Sequence, residues 1–127
     1  MPASRRWKRS GETRRTTSMP NYSRGSVILV RFPFSDLTSS KVRPAIVVSA
    51  AHPSQDVLIV PLTSKTDQLQ PGDFAMENWQ AAGLNVPSAV KGDVFTIQQS
   101  LVIRTVGSIS GSDERDLERS LRAGLGL

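Results

Sequence analysis

The side chains that could do chemistry in this sequence flank short apolar runs. They are cations, hydroxyls and one carboxylate: Lys41, Arg43, Thr63, Ser64, Lys65, Lys91 and Asp93. Cations and hydroxyls bind anions such as phosphate, and a carboxylate can accept a proton. Because adjacent antiparallel strands bring the end of one beside the start of the next, these groups could converge on one rim of a small β fold. The alternative is that each is a solvated strand end without a ligand.

The rest of the composition excludes several kinds of chemistry. The chain of 127 residues has no cysteine and one histidine, which excludes a thiolate zinc site, an iron–sulfur cluster, a cysteine nucleophile and a site of several histidines within one chain. The histidine, His52, lies in a Pro-containing turn, which is typical of an exposed residue rather than of a catalytic base. No Gly-rich phosphate loop or nucleophile elbow occurs. The sequence therefore predicts neither a metal nor a cofactor.

A second group of ionisable residues lies near the C terminus. It consists of acids interleaved with arginines: Asp113, Glu114, Arg115, Asp116, Glu118, Arg119 and Arg122. Spacings of three and four residues are those of ion pairs on a helix surface. We therefore expect ordinary surface pairing here rather than a pair of catalytic carboxylates.

Charge is distributed unevenly along the chain. The net charge is +5, but residues 1–24 hold seven basic groups and one acid, whereas residues 25–127 hold nine basic and ten acidic groups. On net charge alone, the second part is not a basic nucleic-acid-binding domain. Residues 1–24 are poor in apolar side chains, so we expect them to be disordered. Their Arg- and Ser-rich composition also fits a transit peptide, and a natural start at Met19 is a further alternative.

The chain also lacks the signals of membrane and secreted proteins. No apolar run approaches the roughly 20 residues of a membrane span. The residues that follow Arg5 and Arg6 do not form the apolar stretch of a secretory signal. The sequence therefore predicts a cytoplasmic protein without a membrane segment.

From residue 25 onward, short β-branched runs alternate with turn residues, which is typical of a small β-rich domain. The expected strands are at residues 25–34, 44–50, 57–62, 74–77, 88–97 and 102–109, with a helical turn at 78–82. In the first strand both alternating sets of side chains are mostly apolar, so we expect both faces to be covered. Pro44 lacks an N–H, so we expect it at the beginning of its strand.

A C-terminal helix is predicted over residues 113–123. An apolar stripe that would pack on the sheet recurs every four residues, at Leu117, Leu121 and Leu125. Ser110 or Ser112 would cap its start, and Gly124 would end it.

Several motifs occur in a fixed order along this domain. They are GSVILVRFPFSDL at 25–37, KVRPAIVVS at 41–49 and VPLTS at 60–64, followed by Trp79, AGL at 82–84, PS at 87–88 and VG at 106–107. With these motifs the chain resembles the MazF/PemK family of toxin endoribonucleases, over the domain at 25–127 and not over the tail. The most specific part is Arg-Pro-Ala-x-Val-Val-Ser followed, after a short interval, by Pro-x-Thr-Ser.

The resemblance implies a mainly β fold with a short α part, namely a small SH3-like barrel of the MazF/CcdB type with a C-terminal helix. It implies a homodimer that binds single-stranded RNA along the subunit interface. It also implies a cognate antitoxin protein as partner, with DNA contacted only indirectly through that antitoxin. The implied function is that of a toxin of a type II toxin–antitoxin system. Such a toxin is a metal-independent endoribonuclease in which the ribose 2′-hydroxyl attacks the adjacent phosphorus, leaving a 2′,3′-cyclic phosphate and a 5′-hydroxyl end.

The catalytic positions that the resemblance implies fall on Arg43, Thr63 and Asp93. A guanidinium at Arg43 would stabilise charge on the phosphate through two parallel hydrogen bonds. The Thr63 hydroxyl would hold the phosphate in line with the attacking oxygen. Some family members carry Arg-x-Asp as acid and base where this chain has Lys91-Gly92-Asp93. Asp93 is therefore the expected base, and Lys91 departs from the pattern.

The resemblance also implies a set of RNA-binding residues around these positions. The set comprises Phe34, Asp36, Lys41, Ser64, Lys65 and Lys91, with the loop at 34–41 as a lid. Phe34 would either stack on a base or pack in the core beside Phe32.

Two further hypotheses stay open beside the enzyme. The near-neutral charge of the domain and the departure at Lys91 also fit a non-catalytic binding module on the same fold, which would hold an antitoxin peptide or RNA. The basic tail would in either case add non-specific RNA affinity through counterion release.

Overall fold

The computed structural model describes residues 22–32, 41–50 and 56–127, so Phe34, Asp36 and His52 lie outside the described residues. Within these ranges the chain forms seven strands, a short 3-10 turn at Gln99–Leu101 and one helix. The strands and the helix are β1 (Ser26–Phe32), β2 (Lys41–Val47), β3 (Val57–Thr63), β4 (Phe74–Ala75), β5 (Ala89–Val90), β6 (Phe95–Ile97), β7 (Val102–Ser108) and α1 (Gly111–Leu125).

The strands form one antiparallel sheet in the order β4-β5-β3-β2-β1-β7, and β6 pairs with β3 off this path. A mainly β fold with a C-terminal helix is therefore confirmed. Across the described residues the strands do not close into a ring, because β4 and β7 end the path without pairing with each other.

Apolar side chains cover both faces of the central strands. On the first face, Ile28 and Val30 of β1 pack in a cluster that includes Tyr22, which precedes the predicted start of the domain at residue 25. On the second face, Val27 packs in a cluster that includes Leu117 of α1. The alternation expected for the first strand, with both faces covered, is therefore confirmed.

The position of Pro44 differs from the prediction. β2 begins at Lys41, so Pro44 lies in the middle of its strand rather than at the beginning. The strand tolerates it because β2 pairs with β3 only from Ala45 onward. The missing N–H of Pro44 therefore falls just outside that ladder.

The single strand predicted at 88–97 is also wrong, because this segment forms the two separate strands β5 and β6. Between them, the backbone N–H of Gly92 is donated to the carboxylate of Asp73 at 2.8 Å rather than to a neighbouring strand. Because Gly92 bonds to the Asp73 side chain, its N–H does not pair with a neighbouring strand, and the chain forms a loop between β5 and β6.

The helix α1 is longer than predicted at both ends. Ser110 is its N-cap, and Gly126 rather than Gly124 ends it, in a left-handed conformation with φ of +73°. Leu117 is buried, but Leu125 is 60% exposed, so the stripe covers the sheet only along the first part of the helix. No helix in the described ranges has the length and apolar character needed to cross a membrane.

Asp113 is buried rather than paired on the surface as predicted. Its carboxylate accepts hydrogen bonds from the backbone N–H groups of Glu77 and Asn78 at 2.9 and 3.1 Å. The side chain of Asn78 in turn donates to the hydroxyl of Ser110 at 2.9 Å. These bonds fix the start of α1 to the turn at 77–78. The other expected pairs form on the surface, between Arg119 and Asp116 and between Arg122 and Glu118.

The turn at residues 82–83 crosses β7 with backbone against backbone. A Cβ added at Gly107 would overlap the carbonyl group of Ala82, and one added at Gly83 would overlap the carbonyl group of Val106. Gly83 also has a φ of +91°, which other residues rarely adopt. The two glycines therefore set how closely this turn packs on β7.

We expect Gly107→Ala to lower the free energy of unfolding by about 1–3 kcal/mol, because the added methyl group forces two packed backbones apart. Gly124→Ala is the matched control, since Gly124 lies in α1 and nothing is within 4 Å of an added Cβ. That variant should gain about 0.5–1 kcal/mol from the higher helix propensity of alanine. Urea denaturation measures both changes, and equal stability of Gly107→Ala and wild type would contradict the close crossing.

Candidate functional site

The site begins where β2 and β3 stop pairing. Their ladder ends at Ala45 opposite Pro61, and no described pairing continues it. Extending the same register further along both strands places Arg43 opposite Thr63 across the gap. Residues two apart on a strand share a face, so Arg43 and Thr63 lie on the first face of the sheet.

Two grooves open at this gap. The small groove has a volume of about 320 Å³, and its lining includes Phe32, Arg43, Thr63, Lys91, Asp93 and Phe95. The large groove has a volume of about 790 Å³, and its lining includes Leu29, Arg43, Thr63, Asn85, Arg104 and Val106. Arg43 and Thr63 line both grooves, as do Leu62 and Lys65 beside Thr63. We call the boundary formed by Arg43 and Thr63 the ridge.

The small groove brings together the three residues predicted to be catalytic. Arg43 and Asp93 are exposed, and Thr63 is half-buried. Beside them, the rings of Phe32 and Phe95 meet edge to face with centroids 6.3 Å apart. The groove thus combines a guanidinium, a hydroxyl and a carboxylate with an apolar aromatic wall.

The hydroxyl group of Thr63 is oriented by its own strand end. The backbone N–H of Lys65 donates to Oγ1 of Thr63 at 3.1 Å. A hydroxyl oxygen can accept such a bond and still donate its single proton. Thr63 is therefore able to donate a hydrogen bond to an anion in either groove.

The loop that carries Asp93 is held by a buried carboxylate. Nζ of Lys91 lies 2.7 Å from Oδ2 of Asp73, and the Asp73 side chain is only 4% exposed. The backbone N–H groups of Gln70 and Gly92 also donate to this carboxylate, at 3.0 and 2.8 Å. Asp73 thus fixes the backbone next to Asp93 and neutralises the charge of Lys91.

These contacts determine the ionisation of Asp73. Burial by itself raises the pKa of Asp73, but the hydrogen bonds from Lys91, Gln70 and Gly92, together with the positive charge of Lys91, outweigh that effect. The pKa of Asp73 therefore lies below its ordinary value, and the group is a carboxylate at neutral pH.

The large groove is uniformly positive. Every charged residue that lines it is basic, and there are four of them in the described part of the chain: Lys41, Arg43, Lys65 and Arg104. None of these four side chains forms an ion pair or hydrogen bond with another described residue. Elsewhere Arg24, Lys91, Arg119 and Arg122 are each paired with an acid. Because like charges repel when they share a site without counter-ions, the large groove is suited to an anion.

The structure brings most of the predicted site residues together. Arg43, Thr63, Lys65, Lys91 and Asp93 line the small groove. Lys41 and Ser64 line the large groove, where Arg43, Thr63 and Lys65 contribute again. Phe34 and Asp36 lie outside the described residues.

Sequence reasoning missed three residues of this region. Arg104 had a detectable signal, since it is the one cation of its strand and lies two residues from Val106, which places both on the same face. Asn85 lies in an irregular segment without a recognisable pattern. Asp73 had no local signal, because it meets Lys91 and Gly92 from 18 and 19 residues away in the chain. Among the described residues, no group of three or more His, Cys, Asp or Glu side chains could hold a metal ion.

Comparison with known proteins gives a family match. Residues 23–125 match the model of a family described as PemK-like, MazF-like toxin of type II toxin-antitoxin system. That match spans all seven strands and α1 of the described fold. A search of curated proteins finds no match.

Solved structures share the fold. The Mycobacterium tuberculosis toxin MazF-mt6 has a TM-score of 0.65 and 20% identity, over 80% of this chain and 97% of that one. MazF from Deinococcus radiodurans has a TM-score of 0.65 and 19% identity, over 87% and 99% of the two chains. An endoribonuclease in complex with its cognate antitoxin, from a Mycobacterial species, has a TM-score of 0.64 and 19% identity, over 84% and 94%. At these identities the likeness shows the fold alone.

Asp73→Asn should both weaken the fold and remove a pH dependence. Because the pKa of Asp73 is lower in the folded than in the unfolded chain, the carboxylate stabilises the fold fully above its ordinary pKa of about 3.9. This stabilisation is lost as the pH falls through the folded-state pKa. We expect the variant to lose about 1–3 kcal/mol of unfolding free energy at neutral pH and to show a flatter acid limb.

Urea denaturation at a series of pH values between about 7 and 2 measures both effects. Glu118→Gln is the control, because that side chain is 54% exposed in a surface pair with Arg122. It should change the free energy of unfolding by less than about 0.5 kcal/mol. An Asp73→Asn protein with the same acid limb as wild type would rule out this role.

Proposed function

Because the chain belongs to the PemK-like, MazF-like family of type II toxin–antitoxin toxins, we propose that it is an endoribonuclease that cleaves single-stranded RNA at the small groove. The observation that carries this proposal is the placement of Arg43 and Thr63 on one face of the sheet, across the gap between β2 and β3. A guanidinium and a hydroxyl on opposite sides of one opening can hold a single phosphate between them.

The proposed reaction uses a nucleophile that the RNA supplies. The ribose 2′-oxygen forms a bond to the adjacent phosphorus and gives up its proton, while the bond from phosphorus to the 5′-oxygen breaks. The 5′-oxygen takes up a proton from water, so the products are a 2′,3′-cyclic phosphate and a 5′-hydroxyl end. The protein needs to stabilise charge on the phosphate, hold the reacting atoms in line and accept a proton.

Each requirement matches one residue of the small groove. Arg43 donates two parallel hydrogen bonds to phosphate oxygens and keeps its charge at any relevant pH. Thr63, whose oxygen is fixed by the N–H of Lys65, donates its proton to the phosphate and keeps it in line. Asp93 accepts the proton of the 2′-hydroxyl. The bond of Asp73 to the N–H of Gly92 keeps Asp93 at the groove.

The biological setting follows from the same family membership. We propose that the chain works as a homodimer in the cytoplasm and that a cognate antitoxin protein covers the RNA site. Contact with DNA would be indirect, through that antitoxin. One similar structure is of an endoribonuclease in complex with its cognate antitoxin, which is consistent with such a partner.

A non-catalytic binding module is the second candidate function, and one observation favours it. Lys91 occupies the place of the family's Arg and is already paired with Asp73 at 2.7 Å. Its ammonium group is therefore not free to take part in proton transfer. The two candidates differ in their products, because only the enzyme creates RNA with new 5′-hydroxyl ends.

The test is cleavage of a long single-stranded RNA by the purified full chain in the presence of EDTA, with 5′-hydroxyl ends mapped by sequencing. Arg43→Ala and Thr63→Val should each lower the cleavage rate by about 10²- to 10³-fold, because each removes a donor to the reacting phosphate. Thr63→Ser keeps the hydroxyl and should retain most activity.

Arg119→Ala is the control for lost positive charge, since Arg119 is an exposed arginine of α1 that pairs with Asp116. It should cleave at the wild-type rate and at the same positions. Absence of 5′-hydroxyl ends with wild-type protein would favour the binding module. A fully active Arg43→Ala protein would reject the proposed site.

Asp93→Asn separates the base from the groups that hold the phosphate. We expect its cleavage rate to fall by about 10²- to 10⁴-fold, because the amide cannot accept the proton. Binding of an RNA whose 2′-hydroxyls are methylated should stay close to wild type. Asp116→Asn, which removes an acid of the α1 surface, is the control with unchanged rate. Retained activity of Asp93→Asn would assign the base to another group.

A further inference from the structure

The large groove has no role in the reaction proposed for the small groove. The two grooves open to opposite sides of the ridge of Arg43 and Thr63, and apart from these two residues they share only Leu62 and Lys65 among the described residues. Yet the large groove is the more spacious of the two, with about 790 Å³ against 320 Å³. Its charged lining residues in the described chain are all cations.

Arg104 is the cation that lies furthest from the ridge. Leu29 of β1 is opposite Pro44 on one side and opposite Arg104 on the other. Since directly opposite residues share a face, Arg104 projects from the second face, away from the small groove. Neighbouring strands are about 4.8 Å apart, so Arg104 and Pro44 are separated by about 10 Å.

The wall facing this arginine suits a nucleotide. It is formed by residues 83–86, in which Asn85 is exposed and Val86 is 49% exposed. An amide side chain can donate to and accept from a base edge, while an apolar side chain can contact the face of a base. The guanidinium of Arg104, which is exposed and has no partner among the described residues, can bind a phosphate.

We propose that the large groove binds the RNA that flanks the cleaved phosphate, with Arg104 as a positioning residue for a second phosphate. This inference rests on the proposed function for the identity of the ligand. A strand held at the ridge by Arg43 and Thr63 continues directly into the large groove, because both residues line it. The separation of about 10 Å between Pro44, beside the ridge, and Arg104 assigns Arg104 to a different phosphate from the one held at the ridge.

The inference separates binding from chemistry. Arg104 does not reach the reacting atoms, so its loss should raise KM for long RNA and leave kcat nearly unchanged. A substrate too short to reach the large groove should be cleaved equally well with and without Arg104. A merely structural role would instead lower kcat for both substrates.

The test compares wild type, Arg104→Ala, Arg104→Lys and the control Arg119→Ala in the full chain. The binding probe is a mixed-sequence 2′-O-methyl RNA of about 12 nucleotides, which lacks the attacking hydroxyl and stays intact. Arg104→Ala should bind it about tenfold more weakly, and the slope of log affinity against log salt should fall in magnitude by about 0.7. Arg104→Lys should restore the slope. A 2′-O-methyl dinucleotide, whose single phosphate is held at the ridge and leaves none for Arg104, should bind all four proteins alike.

The outcomes distinguish this inference from the proposed function. If wild type cleaves RNA and Arg104→Ala changes neither KM nor the salt slope, the large groove does not bind the flanking RNA, and the proposed endoribonuclease activity is still supported. If wild type never cleaves RNA but binds the long probe through Arg104, RNA binding in the large groove is supported and the proposed endoribonuclease activity is rejected. If a polyglutamate peptide binds through Arg104 and the RNA probe does not, the groove is a site for an acidic protein and the inference is overturned.

Discussion

The separation of β2 from β3 is the constraint on which the site depends. Had the ladder continued beyond Ala45 and Pro61, Arg43 and Thr63 would be ordinary cross-strand neighbours on a closed surface. Because it stops there, both side chains border an opening. Each strand is nevertheless held on its other edge, β2 by β1 and β3 by β5. The opening is therefore flanked by backbone that is fixed by hydrogen bonds, which is what a site for a reacting phosphate requires.

Local charge, rather than net charge, distinguishes the two sides of the molecule. Residues 25–127 have one more acid than base in total, yet the acids do not neutralise every base locally. The acids of α1 bind arginines or backbone N–H groups, and Asp73 binds Lys91. The four cations of the large groove have no such partners among the described residues. A near-neutral domain can thus present a strongly basic groove, and the composition alone conceals it.

The features that could be predicted from the sequence are set by neighbouring residues. The features that could not be predicted depend on partners far away in the chain. The alternation in β1 and the serine cap of α1 are set by neighbouring residues, and both were readable. The strand predicted at 88–97 failed because Gly92 donates its N–H to Asp73, which no local pattern reveals. Asp113 has the spacing of a surface ion pair, but its partners are backbone groups of a turn more than 30 residues away.

The same distinction applies to the candidate site. Arg43 and Thr63 were placed together because each sits at the end of a recognisable strand. The catalytic role of each came from a family motif and not from spacing. Arg104 and Asn85 belong to the site only because β7 and an irregular turn meet on the second face. That meeting is a tertiary contact, and a single sequence does not specify it.

The crossing of Gly83 and Gly107 has a mechanical consequence for recognition. Because the two backbones are in direct contact, we expect the turn at 82–83 and the strand carrying Arg104 and Val106 to move together as one stiff unit. A stiff cleft loses little conformational entropy when it is filled. Selectivity among ligands would then depend on how well each fits a groove of fixed width, rather than on the protein closing around the ligand.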